Sequence, residues 1–256
     1  MRIYVIKMKT LIKLMLVFIL VIAFLIVAGN YYISSVGVSA PNRELPIYSV
    51  ERENKVVAIT FDCAWGSDDI PDILDTLRKE DVKASFFIVG QWADKFPETV
   101  KMIANDGHDI ANHSYSHLRM GAIDRDRIRS EILLCGEKLE ELTNQKVDLF
   151  RAPYGDYSNN VISIARSLGY FTIQWDVDSL DWKPGISQDE ILDRITKRIK
   201  PGSIILFHND TPHTSKLLPT IITTLKNEGY SFLPVSKLIY RDNYYIDAEG
   251  KQRKKG

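Results

Sequence analysis

An α/β fold built on a parallel sheet is predicted by three observations. From Lys55 onward, short apolar runs alternate with amphipathic stretches. Gly107, Gly169, Gly202 and Gly229 each close a helical stretch, where a left-handed cap is wanted. No composition shift marks a second domain boundary between Lys55 and Arg241. About six or seven such strand–helix units suggest a closed or nearly closed (β/α) barrel, with an open doubly wound sheet as the alternative. In either architecture, functional groups collect at the C-terminal ends of the strands.

The elements follow in order. VVAITF reads as the first strand and IPDILDTLRKEDV as its helix, with Ile70, Ile73, Leu74 and Leu77 on one face. ASFFIVG leads to a segment ending in NDG and then to HDIANH. A helical pattern through Ile128, Ile132, Cys135, Leu139 and Leu142 makes Cys135 a free buried thiol. SNNVISIARSLGY leads into FTIQWDV. SQDEILDRITKRIKPG leads into SIILFH, with Ser187 and Glu190 as a capping box. LLPTIITTLKNEGY leads into SFLPV.

The N-terminus is a different polymer. Arg2, Lys7, Lys9 and Lys13 precede an uncharged run, Leu14–Ala28. That length lies between a secretory apolar region and a membrane span of ~20 residues. The basic flank predicts a cytoplasmic N-terminus and an exported chain. A possible cleavage site, Val38–Ala40, lies far from the apolar run and precedes Pro41, so a retained single-pass anchor is preferred over a cleaved signal. Asn30 to Arg52 reads as a tether. Formal net charge is +0, with 45% hydrophobic and 26% charged residues, which points away from a nucleic-acid partner. The basic run near Lys251–Lys255 is read as a solvated end.

The chemistry gathers at strand ends. Asp62 ends the first strand, His113 ends the HDIAN run, and His117 follows four residues later, on the same face if that segment is helical. Arg151 follows LF, Asp178 and Asp181 follow FTIQWDV, and His208 ends SIILF. Singly, each has an ordinary structural explanation: a histidine hydrogen-bonded at a strand end, a salt-bridged arginine, a capping aspartate. Jointly they supply what metal-assisted hydrolysis needs. Neutral imidazoles bind Zn²⁺ and related ions, a carboxylate takes a proton from water, and a second acid–base group protonates the leaving atom.

Five motifs in this order, TFDC, HSYSH, RAPYG, DSLDW and IILFH, resemble the polysaccharide deacetylases of carbohydrate esterase family 4, over roughly Lys55 to Tyr240. The AWG continuation after the first motif resembles the sporulation-associated branch. The resemblance implies a distorted (β/α) barrel of parallel strands, which here follows the transmembrane helix read from the apolar N-terminal run. It also implies metal-dependent removal of acetyl groups from N-acetylated sugars, with one divalent ion, zinc by preference, and a cell-wall polysaccharide as partner. Together with the composition, this gives an expected organisation of an anchor over 1–29, an extracytoplasmic linker over 30–52, a catalytic domain over 53–242 and a polar tail over 243–256. Carried over by position, Asp62 is the general base, His113 and His117 are metal ligands, and His208 is the general acid held by Asp181. Arg151 pairs with Asp62. Tyr154 lends its backbone N–H to an oxyanion hole, and Trp182 and Leu206 line the acetyl pocket. Trp65, Trp92 and Trp175 are further aromatic candidates, with core packing an equal reading for the last two.

One position departs. Members of this family usually carry a second aspartate where this chain has Cys63, and that aspartate completes the metal triad. Three expectations follow: Cys63 ligates as a thiolate, Asp68 or Asp69 reaches in from the next loop, or the third protein ligand is missing. Successive strand residues point to opposite faces, so Cys63 can ligate only if the strand has broken before it. A non-catalytic glycan-binding protein and an O-acetyl esterase are the functional alternatives to an N-deacetylase.

Overall fold

The computed structural model describes residues 8–35 and 43–256. It separates into two compact units, with residues 44–256 as the larger one. In the smaller unit, α1 (Met8–Ser35) contains a 20-residue apolar stretch, Met8–Val27, long enough to cross a membrane. Arg2, Lys7 and the Val38–Ala40 triplet lie outside the described residues.

In the larger unit the strands are β1 (Ser49–Val50), β2 (Val56–Cys63), β3 (Ser85–Ile88), β4 (Asp109–Asn112), β5 (Leu149–Phe150) and β6 (Phe171–Thr172). They continue with β7 (Val177–Asp178), β8 (Ile204–His208), β9 (Ser231–Phe232), β10 (Tyr244–Ile246) and β11 (Lys251–Lys254). The helices are α2 (Ile70–Lys79), α3 (Gly90–Lys95), α4 (Pro97–Asn105), α5 (Arg125–Thr143), α6 (Asn159–Ser167), α7 (Gln188–Arg198), α8 (Thr214–Asn227) and α9 (Val235–Leu238). The main sheet runs β6-β5-β4-β3-β2-β8-β7, every pair parallel, with β9 added beside the start of β2. It curls into a half-barrel of parallel strands with β6 and β7 at its edges, the distorted (β/α) barrel that the family resemblance implies.

Local chemistry explains the elements that position the site. The four residues Ile70, Ile73, Leu74 and Leu77 are the buried face of α2, and Ser187 caps α7 in a reciprocal capping box with Glu190. At Gly202, φ is +83° and an added Cβ would lie 1.6 Å from the Val50 carbonyl oxygen, so only glycine fits between β8 and β1. Among the described residues three apolar clusters result, and two of them take the two faces of β2. Val57, Ile59, Phe61 and Cys63 of β2 belong to the larger one with residues of α2 and α8. Ala58, Phe87, Ala111, Leu149 and Ile204 face the barrel interior, packed with Val235 and Leu238 of α9.

Two boundaries fall elsewhere than expected. Residues 244–254, read as a polar tail, form an antiparallel hairpin, and β11 pairs in parallel with β1, which lies in the stretch read as a tether. The apolar signal there is weak because Gln252, fully buried, bonds to the Tyr240 backbone at both its oxygen and nitrogen.

Candidate active site

Every strand carrying a predicted functional residue ends at one rim, and a cavity of about 440 Å³ opens there. Asp62, His113, His117, Tyr154, Trp182, Leu206 and His208 all line it, joined by Trp65, Trp175 and Asp178.

Arg151 organises one half. It is completely buried, and its guanidinium donates to Asp62 Oδ1 at 2.6 Å, to Thr60 Oγ1 at 3.0 Å and to the Gln174 carbonyl at 3.2 Å. The guanidinium lies 3.9 Å from the Phe87 ring centroid, so an aromatic face replaces part of its lost hydration. Burial favours the neutral form of Asp62, but the charge of Arg151, with His113 and His208 behind it, outweighs this and lowers its pKa. The carboxylate is therefore ionised and fixed. The Arg151 carbonyl accepts from His113 Nδ1 at 2.9 Å, which assigns the proton to Nδ1 and leaves Nε2 with its lone pair. That Nε2 lies 3.3 Å from Asp62 Oδ2.

His117 sits with its ring centroid 5.1 Å from that of His113, and its Nδ1 lies 3.1 Å from the Tyr154 hydroxyl. Burial lowers the pKa of both imidazoles, that of His117 to about 4, so both are neutral near pH 7. The segment between them is not helical. Ser114 and His117 have φ of 63° and 55°, and the turn is held from outside: Glu131 of α5, almost fully buried, accepts the backbone N–H groups of Tyr115 and Ser116 at 3.0 and 2.7 Å. Glu131 was not foreseen as a site residue. Its signal is an acid between Ile128 and Ile132 on the apolar face of a helix.

The other half belongs to His208. Its Nδ1 donates to Asp181 Oδ1 at 2.8 Å, and its backbone N–H donates to Asp181 Oδ2 at 2.7 Å. Thr214 Oγ1 adds a third donor to Asp181 at 2.6 Å. Burial opposes a charge on His208, but the hydrogen bond and charge of Asp181, with Asp62 and Asp178 beyond, win and raise its pKa. Leu180 and Tyr154 have φ of 59° and 60°, so positive-φ non-glycine residues occur in three loops around the cavity.

Cys63 does not reach this cavity. β2 still pairs with β3 at Cys63↔Ile88, so the strand has not broken, and the thiol falls on the face opposite Asp62. It is fully buried in the apolar layer, and burial, with the nearby Asp62 and Asp69 charges, pushes its pKa well up. The expected thiolate ligand does not fit this geometry. Asp69 is also engaged elsewhere, accepting the Asp210 N–H at 2.9 Å. Among the described residues, no three His, Cys, Asp or Glu side chains are grouped to hold a metal ion. The residues nevertheless fit an ion at two positions: His113 and His117 present neutral imidazoles beside an ionised carboxylate. Trp92 is core, fully covered, with Nε1 donating to the Gly66 carbonyl at 2.9 Å.

A parallel (β/α) barrel whose strand ends oppose an arginine-held carboxylate to an aspartate-held imidazole, beside two neutral histidines, is built for acid–base hydrolysis. The family model for polysaccharide deacetylase matches residues 49–173. A peptidoglycan-N-acetylglucosamine deacetylase of Bacillus cereus is 38% identical over 187 residues, covering 71% of this chain and 67% of its own. A peptidoglycan-N-acetylmuramic acid deacetylase of Bacillus subtilis is 30% identical over 196 residues, covering 75% and 74%. A solved carbohydrate esterase family 4 pseudoenzyme from Bacillus anthracis superposes with a TM-score of 0.73 at 38% identity, over 75% of this chain and 68% of that one. A mutant of that pseudoenzyme with restored enzymatic activity superposes equally well, at 39% identity. This chain belongs to the polysaccharide deacetylase family, the hydrolases that remove N-acetyl groups from carbohydrate.

Proposed function

We propose that the chain is an exported N-deacetylase of peptidoglycan, tethered by α1, that removes acetyl groups from N-acetylglucosamine with the aid of one divalent ion. The observation that carries the reading is the opposition, across one cavity, of an ionised Asp62 to a His208 biased toward its protonated form. Asp62 accepts the proton of the attacking water, and Arg151 holds the carboxylate in place as it does so. His208 then gives its Nε2 proton to the departing amine, a step an ester needs less, so amide cleavage explains why an imidazole biased toward protonation stands here. Asp181 fixes the ring and stabilises its charge. Tyr154, at the strained turn after Arg151, supplies a backbone N–H toward the developing oxyanion. Trp182, half-exposed, and Leu206 form the walls for the acetyl group and sugar. A divalent ion held by His113 and His117, zinc on imidazole preference, would polarise the acetyl carbonyl and acidify the adjacent water. N-acetylglucosamine is preferred over N-acetylmuramic acid because the relative named for it is the more similar of the two.

The test is acetate release from N-acetylglucosamine oligomers and from peptidoglycan, with zinc or after chelation, beside Asp62→Asn and an O-acetylated glycan. Zinc-dependent release from the amide that Asp62→Asn abolishes supports the reading. A second reading, glycan binding without turnover, is favoured by the displaced Cys63, which leaves only two imidazoles for the ion. It prevails if the zinc-supplied wild type binds these glycans and liberates no acetate.

A further inference from the structure

A second cavity of about 370 Å³ lies against the first, and the two share Ala64, Trp65 and His117. Trp65 is the partition. Its indole is half-exposed, with centroids 6.4 Å from the His117 ring and 5.9 Å from the His208 ring. The far wall is α3, which contributes Gln91 and Lys95. This wall is firmly placed. The Gly90 and Gln91 N–H groups donate to the Ser114 and Tyr115 carbonyls at 3.0 and 2.9 Å, and the Trp92 indole holds the Gly66 carbonyl beside Trp65. An added Cβ at Gly90 would lie 2.3 Å from the Tyr115 ring, so the helix and the histidine loop are in close contact.

Lys95 is the only lysine, arginine, aspartate or glutamate among the residues lining this second cavity. Its ammonium lies 4.9 Å from the Phe96 ring, and no carboxylate of the described residues is within ion-pairing distance of it. The adjacent Asp94 does not neutralise it, being engaged by Lys138 at 2.9 Å and by the Tyr115 hydroxyl at 2.7 Å. A cavity continuous with the reaction site, with an aromatic divider and one uncompensated cation, suits a sugar that carries an anionic substituent.

We infer that this cavity is the subsite for the sugar next to the one being deacetylated, and that Lys95 there recognises the free carboxylate of a muramyl 3-O-lactyl group on glycan stripped of its stem peptide, since a peptide-bearing lactyl group is a neutral amide. The inference rests on the peptidoglycan reading above, in which the strand alternates N-acetylglucosamine with its lactyl ether. When the first cavity holds the former, the adjoining one must receive the latter. Trp65 offers each sugar an apolar face, and Gln91 offers an amide to hydroxyls.

The test measures binding to the full chain in detergent after chelation of metal, so that turnover does not interfere. The probes are a peptide-free tetrasaccharide alternating N-acetylglucosamine and N-acetylmuramic acid, its lactyl methyl ester, and an N-acetylglucosamine tetramer. The wild type should bind the free acid about three- to ten-fold more tightly than the ester or the tetramer, as an ion pair at a partly exposed site allows. Lys95→Ala should remove that preference and Lys95→Glu should reverse it, with affinity for the tetramer unchanged. Equal affinities for acid and ester in the wild type, or a Lys95 variant that shifts all three ligands alike, overturns the subsite. Acetate release is scored separately on the zinc-supplied protein. Turnover without discrimination by charge sinks the subsite alone, and discrimination without turnover sinks the deacetylase reading alone.

Discussion

The two faces of β2 differ in almost every physical respect, although their residues alternate along eight positions. One face carries Val57, Ile59, Phe61 and Cys63 into a dry layer against the helices. There Phe61 stacks on Phe86 with centroids 4.8 Å apart. The other begins apolar at Val56 and Ala58 and turns polar at Thr60 and Asp62, which share one guanidinium nitrogen of Arg151. A side-chain period of two thus separates stability from chemistry at single-residue resolution. Asp62 and Cys63 are neighbours in sequence, yet one titrates into the cavity and the other is closed off from it.

The sharpest way to break this contrast is Arg151→Ala. Removing the arginine strands a buried carboxylate, so unfolding should cost about 3–5 kcal/mol less. Asp62 loses its largest charge partner, and burial then raises its pKa. Thermal or urea unfolding reads the first effect. Acetate release, expected to fall by at least ~10²-fold, reads the second. An outer-face truncation such as Phe61→Ala should lose comparable stability, about 3–5 kcal/mol, while the surviving folded fraction keeps its rate. Equal specific activity in the two variants would mean that the inner face is merely structural.

Next in size is His208→Ala, which should lower the rate by about 10²–10⁴-fold if the imidazole is the general acid. The pH dependence follows from the signs. His208 must be protonated, so activity falls as pH rises through its raised pKa; Asp62 must be ionised, so activity falls only at pH below the ordinary carboxylate range. Asp181→Asn removes the partner that overcomes burial, and the alkaline limb should move to lower pH while the acid limb stays. If the alkaline limb of the Asp181→Asn profile does not move, His208 is not the group it reports.

Much of this arrangement is legible in the sequence because its causes are local. Periodicity marks α2, glycines mark helix ends, and the strand-end rule brings Asp62, Arg151, Asp181 and His208 to one rim. What is not legible depends on distant partners. The His113–His117 segment has helical spacing, but Glu131 captures two of its N–H groups and fixes a turn with two positive-φ residues instead. Residues 244–254 look like a polar end until β1 supplies an edge to pair with. Cys63 is a matter of register: its type suits a metal, but β3 holds the strand through that residue, and the family's first motif carries no sign of where pairing stops.

Cys63→Asp sharpens the comparison further. On the face where the thiol lies, a carboxylate enters an apolar layer with no cation beside it, and the variant should be destabilised by several kcal/mol, recovering as pH falls and the group is protonated. A variant that is instead stable, binds zinc more tightly and releases acetate faster would show that the end of β2 turns Cys63 toward the histidines.

Cys63→Ala is the smallest test and the most specific. Truncating a buried thiol in a packed layer should cost about 1 kcal/mol, a loss of contacts rather than of ligation. Zinc stoichiometry should be unchanged, since the two imidazoles are on the opposite side of the sheet. Chemical reactivity offers an independent reading of the same point. Burial keeps Cys63 protonated, and Cys135, also buried, donates its thiol to the Ile88 carbonyl at 3.3 Å. Neither thiol should therefore react with iodoacetamide in the native protein at pH 8, and both should react in denaturant. Rapid native alkylation of Cys63 that zinc protects against would place the sulfur at the metal and reverse the assignment of the two faces.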